Sequence, residues 1–360
     1  MKFVVDGIGG APGSSVGVIL EQLITGWASL ATDDLHVLID DRAMTKLSWP
    51  EGVTIEPVAL GQFRGFSRVR AQNTRVPAVC REFEADAMIG LLPTTTIAPL
   101  PCPRLVIATD IRHEFLPHQF SRKSRFLRKI SYTIGWHQAD AIACISERTR
   151  RDLLRMHPWL RDKPLGVAPL GSDHVATWSV DDVDEPYTVA FGQYGNKNAD
   201  MVIDAWAILR DRGRAPRLKL IGMPDESRPG AEAHIERLGL TDLVEPIGWL
   251  FGEDLRRCFA SSGLFVFPSD FEGFGMPAVE AMRLGIPLVI TPEDALLEVT
   301  DGKATIMSGW GAEPLADAVE IALESKPIDL ERAKQRAEEF TWARMASAIR
   351  DLAAEVVATR

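Results

Sequence analysis

The chain has no excess of positive charge: 40 Lys and Arg stand against 50 Asp and Glu, a formal net charge of −10. General nucleic-acid binding needs a basic footprint, so that class is excluded. No apolar run approaches the roughly 18–20 residues that cross a bilayer as a helix. The four cysteines, Cys80, Cys102, Cys144 and Cys258, are far apart and form no CxxC pair. A disulfide scaffold is excluded on that count, and no zinc knuckle or dithiol motif is visible. The N-terminus reaches Asp6 and a run of glycines too early for the apolar core of a signal peptide. The expectation is a cytoplasmic protein with reduced thiols. Low hydrophobicity is missing too: 46% of residues are hydrophobic, which excludes disorder as the main state. Neither a short repeat nor a low-complexity segment is present.

What is present is enough chain for two domains, 360 residues. The charge is unevenly placed, with 21 basic and 17 acidic side chains in residues 1–170 and the remaining acidic excess in the second half. The first half opens with an apolar run, Phe3 to Val5, then the glycine-rich stretch Gly7 to Gly13. A helical pattern follows from Ser15 to Leu30, then another apolar run, Leu35 to Ile39. This is the strand–loop–helix–strand unit of a parallel sheet. Further strands are expected at Asp86–Gly90, Arg104–Ala108 and Ala141–Ile145. In the second half they are expected at Thr188–Phe191, Leu218–Ile221, Leu264–Phe267 and Pro287–Ile290, with helices at Asn198–Arg212 and Pro277–Leu284. Alternating strands and helices with apolar strands imply parallel sheets covered on both faces. The expected architecture is α/β, two doubly wound Rossmann-like domains facing across a cleft. The boundary is placed in the acidic stretch Trp178 to Pro186, giving domains 1–178 and 179–340 and a terminal segment 341–360. In such sheets ligands bind beyond the carboxyl ends of the strands.

The stretch richest in chemistry runs from Phe267 to Met282. A buried strand ends at Pro268, a loop with Gly273 and Gly275 follows, and a helix opens near Pro277. Glycines admit a ligand close to the backbone, and a helix N-terminus suits a phosphate. Glu272 lies before this helix and Glu280 one turn inside it; two carboxylates can accept the paired hydroxyls of a sugar or ribose. A strand–helix turn with a dipole-complementing acid is the alternative. The order Pro-Ser-x-x-Glu-Gly-Phe-Gly-x-Pro-x-x-Glu-Ala-Met resembles the signature of the GT4 family, retaining glycosyltransferases of the GT-B fold that use nucleotide sugars. The resemblance extends upstream to Pro246-Ile247-Gly248-Trp249 and Leu255, and downstream to Gly285–Val289 and Leu297-Glu298-Val299. It also includes Phe340-Thr341-Trp342, at the start of a last helix that in this fold crosses back to the first domain, and the run Ala139 to Thr149.

The resemblance implies that Glu280 binds the ribose hydroxyls and Glu272 a hydroxyl of the donor sugar. It implies that backbone amides of Gly273, Phe274, Gly275 and Met276 line the sugar and diphosphate. Lys197, in the loop Gly192 to Asn198, is a diphosphate clamp on this reading and a solvated loop lysine on the plainer one. The family's usual accompanying arginine has no counterpart, since Gln193 and Asn196 are uncharged. Thr109 to Pro117 resembles the family's His-Asp loop: Asp110 matches, Thr109 stands at the histidine position, and His113-Glu114 with Pro117 fits a subgroup rich in mannosyltransferases. Asp110 and His113 are candidates to orient sugar or acceptor; helix capping and local hydrogen bonding are the alternatives. The Gly7–Gly13 loop fails as a dinucleotide fingerprint because Pro12 takes the third glycine position, but Gly9 and Gly10 match the family's donor-approaching loop.

Arg122, Lys123, Arg125, Arg128 and Lys129 alternate with Phe126, Leu127 and Ile130. A solvated helix face is the plainer reading; peripheral contact of segment 122–129 with an anionic membrane at its inner face, or with a phosphorylated acceptor, is the other. Asp182-Val183-Asp184 resembles a metal-binding DxD, but its place in an acidic linker assigns it no metal. The expected partners are thus a nucleotide sugar as co-substrate and a glycan, lipid-linked or small-molecule acceptor, with no metal, further cofactor or nucleic acid. Two rivals stand beside this: a nucleotide-sugar-binding protein without transfer, and a nicotinamide oxidoreductase, which the missing third glycine disfavours.

Overall fold

A computed structural model describes residues 1–181, 185–193 and 195–359. The Asp182-Val183-Asp184 motif and Tyr194 lie outside the described residues. The chain divides into two compact units: residues 1–171 with 340–360, and residues 172–339.

The first unit holds a seven-stranded sheet in the order β3-β2-β1-β4-β5-β6-β7. Its strands are β1 (Lys2–Gly7), β2 (Asp34–Asp40), β3 (Thr54–Val58), β4 (Ala87–Gly90), β5 (Arg104–Ala108), β6 (Ala141–Cys144) and β7 (Leu165–Val167). All neighbours run parallel, as in the register Val4↔His36 and Val4↔Met88 that flanks β1. Strands β4, β5 and β6 are buried at every residue, as expected of strands covered on both faces. The helix Ser15–Ala28 begins where Ser14 accepts a hydrogen bond from the Gly17 N–H at 3.1 Å. Against it packs the last helix, Trp342–Ala358, capped by Thr341. The approach is close enough that a Cβ on Gly26 would stand 2.5 Å from the Trp342 backbone carbon, so only glycine fits there.

The second unit holds a six-stranded parallel sheet in the order β10-β9-β8-β11-β12-β13. Its strands are β8 (Tyr187–Phe191), β9 (Arg217–Ile221), β10 (Val244–Pro246), β11 (Leu264–Phe267), β12 (Leu288–Ile290) and β13 (Thr305–Ile306). The core on one face gathers Trp206, Leu209, Leu220, Val266, Leu315 and Val319, all essentially inaccessible.

Both sheets therefore start at a central strand, grow to one side, and return to the other. The reversal falls between β1 and β4 in the first unit and between β8 and β11 in the second. At such a switch point the two connecting loops leave in opposite directions and open a crevice at the carboxyl ends of the strands.

Candidate functional site

In the second unit the loops at this point are the Gly192–Asn198 loop after β8 and the Pro268–Gly275 loop after β11, so Lys197 and Glu272 meet there. Lys197 Nζ donates to Glu272 Oε1 at 2.5 Å, with the two side chains 9% and 15% exposed. The ammonium also lies 4.2 Å from the centroid of the Phe267 ring, an added cation–π attraction. Glu272 Oε1 further accepts from Ser269 Oγ at 2.5 Å. Asn196 is 1% exposed and ties the loops together: its Nδ2 donates to Ser269 Oγ at 3.0 Å and to the Phe271 carbonyl at 3.1 Å. The Asp270 N–H returns a bond to the Asn196 carbonyl at 3.0 Å, and Asn198 Nδ2 donates to the Pro268 carbonyl at 2.8 Å. Asn196, at a position where the resemblance leads one to seek an arginine, is thus a buried structural cross-link. Gln193 packs its amide against the backbone of Gly222, too close for a Cβ there.

The helix Met276–Arg283 opens from Gly275, whose φ is 89°. That left-handed turn suits glycine, and a Cβ there would also stand 2.5 Å from Leu296 Cδ2. Pro277 sits in the first turn, where its missing N–H costs nothing. Phe274 is buried, Gly273 and Met276 are half-buried, and the first N–H groups of the helix lack intrahelical acceptors, as at any helix N-terminus.

Glu280 lies one turn further and is 7% exposed. Its Oε1 is 2.9 Å from His174 Nε2. A carboxylate only accepts, so Nε2 carries the proton of this bond. His174 belongs to a short 3₁₀ turn, Asp173–Thr177, and its ring meets Trp178 edge-on at 5.7 Å. The orientation of Glu280 is therefore held from outside its own helix. Sequence reasoning missed His174. It is 106 residues from Glu280 and lies in no recognisable motif, so no signal in the sequence marked it.

In the first unit, Gly9 and Gly10 form the turn after β1, with the Gly10 N–H donating to the Gly7 carbonyl at 2.9 Å. Asp6 at the end of β1 is 3% exposed and accepts from Thr95 Oγ1 at 2.5 Å, Gln72 Nε2 at 2.8 Å and the Ile8 N–H at 3.3 Å. These bonds fix the loops after β1 and β4 against one another. Asp110, after β5, accepts from the Arg112 N–H at 2.9 Å, a capping bond. His113 follows on the short helix Arg112–Phe115 and is 2% exposed. Its ring stands edge-on to Tyr132 at 5.0 Å, and neither ring nitrogen has a hydrogen-bond partner among the described residues. Burial holds its pKa below the usual histidine value, so the imidazole is neutral at pH 7. The basic segment 122–129 lies on the helix Arg122–Gln138, with Tyr132 and Trp136 turned inward and Phe126, Leu127 and Ile130 exposed. No helix among the described residues is long and apolar enough to cross a membrane.

The sequence model of the glycosyl transferases group 1 family matches residues 185–325. The chain is 27% identical over 192 residues to mannosylfructose-phosphate synthase of Agrobacterium fabrum, covering 48% of this chain and 42% of that protein. It is 32% identical over 168 residues to a GDP-mannose-dependent alpha-(1-6)-phosphatidylinositol dimannoside mannosyltransferase of Mycobacterium tuberculosis, covering 46% and 42%. The matched stretches thus span less than half the length of these relatives. Among solved structures, Anabaena Alr3699/HepE in complex with UDP-glucose superposes with a TM-score of 0.73 at 17% identity, over 99% of this chain and 100% of that one. The fold is accordingly GT-B, with two Rossmann-like domains. The group 1 match lies on the unit that carries Lys197, Glu272 and Glu280, and that unit is similar in sequence to glycosyltransferases of this group.

Proposed function

We propose that the protein is a retaining glycosyltransferase that moves a hexose from a nucleotide-diphosphate sugar to a hydroxyl of a glycan, lipid-linked or small-molecule acceptor. The observation that carries this reading is the convergence at one switch point of Lys197, Glu272, Glu280 and the Gly275 helix N-terminus. Lys197 and the first turn of the helix bear the charge of the departing diphosphate. Glu280, braced by His174, accepts the ribose hydroxyls, and Glu272 accepts a hydroxyl of the sugar. Binding then requires Lys197 to exchange part of its bond to Glu272 for a phosphate oxygen. The bond from the anomeric carbon to the diphosphate breaks while the acceptor oxygen bonds on the same face, and its proton passes to the leaving diphosphate. Asp110 and His113 are the first unit's candidates for orienting sugar or acceptor. No metal has a role in this scheme, so turnover is expected to persist in EDTA. GDP-mannose and UDP-sugars are the donors to try first, since the mycobacterial relative's name specifies GDP-mannose and one neighbour holds UDP-glucose. We place the protein in the cytoplasm, with segment 122–129 as its contact to the inner membrane face; the exposure of Phe126, Leu127 and Ile130 beside the basic side chains supports this.

The second reading, donor binding without transfer, is motivated by the uncharged Gln193 and Asn196. Thermal shift against UDP, GDP, ADP, dTDP and CDP, with and without their sugars, tests the first step. A selective shift supports the site, and the anomeric configuration of the product, read by NMR, tests retention. A selective shift with neither transfer nor hydrolysis across a broad acceptor panel would favour the second reading. No shift with any nucleotide would sink both.

A further inference from the structure

A cavity of about 450 Å³ opens in the first unit, lined in part by the basic segment 122–129. Its walls are the helix Arg64–Glu82, the loop after β4 and the first half of the helix Arg122–Gln138. Three cations line it, Arg68, Lys123 and Arg128, together with the hydroxyl-bearing Thr94, Ser124 and Tyr132, and no carboxylate is among its lining residues. Of the carboxylates nearby, Asp6 feels the charge of Arg68 but accepts its hydrogen bonds from Thr95, Gln72 and Ile8, and Asp110 accepts from the Arg112 N–H. Arg68 Nε is buried and has no hydrogen-bond partner among the described residues. A buried guanidinium nitrogen without an acceptor is unfavourable, and gathering three like charges around one hollow adds repulsion. An anion in the cavity relieves both. Burial pushes the Tyr132 phenol up to about 12, so it stays a neutral hydrogen-bond donor at pH 7.

The shape and chemistry select among anions. Guanidinium forks match the oxygens of a phosphate. The volume falls within the range of small-molecule sites and exceeds what a lone ion needs. The cavity lies beside the Gly9 turn, where a Cβ on Gly9 would be 3.8 Å from an Arg68 guanidinium nitrogen. At its mouth Leu127 is exposed, and Phe126 and Ile130 are exposed on the same helix.

We infer that this cavity is a subsite for a phosphate ester carried by the acceptor, with Arg68, Lys123 and Arg128 as its ligands. The inference rests on the glycosyl-transfer reading for the word acceptor; the binding of phosphate itself does not. The ester comes either from a soluble phosphorylated molecule or from a lipid headgroup, the exposed apolar side chains then facing the bilayer.

The test uses the full chain and two probes: inorganic phosphate by calorimetry, and sedimentation with vesicles of phosphatidylcholine containing phosphatidylglycerol. Arg68→Gln with Arg128→Gln is expected to weaken phosphate binding at least tenfold. Lys123→Gln, at an exposed side chain that cannot disturb the core, gives a smaller loss and keeps the test alive if the double variant does not fold. Arg70→Gln, exposed on the same helix and outside the cavity, is the control and is expected to change nothing. Vesicle binding that falls in the cavity variants and is competed by inorganic phosphate assigns the ester to a lipid; phosphate binding without vesicle binding assigns it to a soluble molecule. Absence of phosphate binding together with vesicle binding that phosphate does not compete, or equal losses in Arg70→Gln and the cavity variants, would overturn the subsite and leave only general surface charge. Thermal shift with nucleotides is run on the same proteins. Its failure would count against the donor site without touching the cavity, and its retention in the cavity variants shows that they are folded.

Discussion

The two units share one topology, yet they treat charge at their switch points in opposite ways. In the second unit every candidate side chain is answered by another: Lys197 by Glu272, Glu272 by Ser269, and Glu280 by His174. In the first unit, among the described residues, neither ring nitrogen of His113 nor Arg68 Nε has a hydrogen-bond partner, and the cavity cations face no lining carboxylate. The same crevice geometry thus supports a self-compensated site in one place and an uncompensated one in the other. A compensated site is preorganised and holds its groups in position before a ligand arrives, at the expense of having to exchange partners on binding. An uncompensated site carries its unfavourable energy in the folded protein and recovers it when an anion enters.

The largest effect is expected from Lys197→Met. It removes the cation assigned to the diphosphate and leaves Glu272 without its countercharge, so turnover should fall by about 10²–10³. Breaking a buried pair by removing one partner costs about 3–5 kcal/mol, and the slight exposure of this one places it at the lower end. Urea denaturation beside an assay of sugar transfer reads both. Normal turnover would remove Lys197 from the chemistry and break the contrast between the units.

Next is Glu280→Ala. Two hydrogen bonds to a charged acceptor are lost, each worth at most about 1.5–3 kcal/mol, so nucleotide affinity should fall between tenfold and a thousandfold. His174→Ala removes only the brace, and calorimetry should show a smaller loss in affinity with turnover at saturation little changed. Equal losses in the two variants would make His174 a direct ligand instead.

Gly275→Ala forces a side chain into a left-handed turn and against Leu296. It should destabilise the protein by about 1–3 kcal/mol, read from the denaturation midpoint.

The smallest effect belongs to the first unit. His113 titrates below its ordinary 6.5 in the folded protein because burial disfavours the charged ring. Above about pH 6.5 its contribution to stability is whole; as pH falls below that, the unfolded chain takes up a proton that the folded one refuses, and stability is lost. His113→Phe keeps a ring against Tyr132 and should flatten the fall in melting temperature below pH 6.5. An unchanged pH profile would mean that the acid-side loss comes from other groups.

Much of this was legible in the residues. The strands at the centre of each sheet are covered on both faces and read as continuous apolar runs, as Leu264–Phe267 does. The four strands that the pattern did not reveal, Thr54–Val58, Leu165–Val167, Val244–Pro246 and Thr305–Ile306, are the four edges of the two sheets. An edge strand is only partly covered, and these carry Glu56, Pro57, Gly166, Glu245 and Pro246, so neither a run nor a clean alternation survives. Lys197, Glu272 and Glu280 were visible because loop and helix residues at fixed spacing carry them. The bond between Lys197 and Glu272 was not, since it depends on β8 and β11 being neighbours. His174 and the cavity around Arg68 were hidden for the same reason: each gathers residues from distant segments whose adjacency only the topology creates.

The most direct test of the self-compensated donor site is calorimetry of GDP and UDP against the wild type and Glu280→Ala. The expected result is saturable binding of one nucleotide by the wild type and an affinity at least tenfold lower in the variant. Equal affinity in the two proteins would contradict the assignment of Glu280, and with it the reading of the second unit as the donor site.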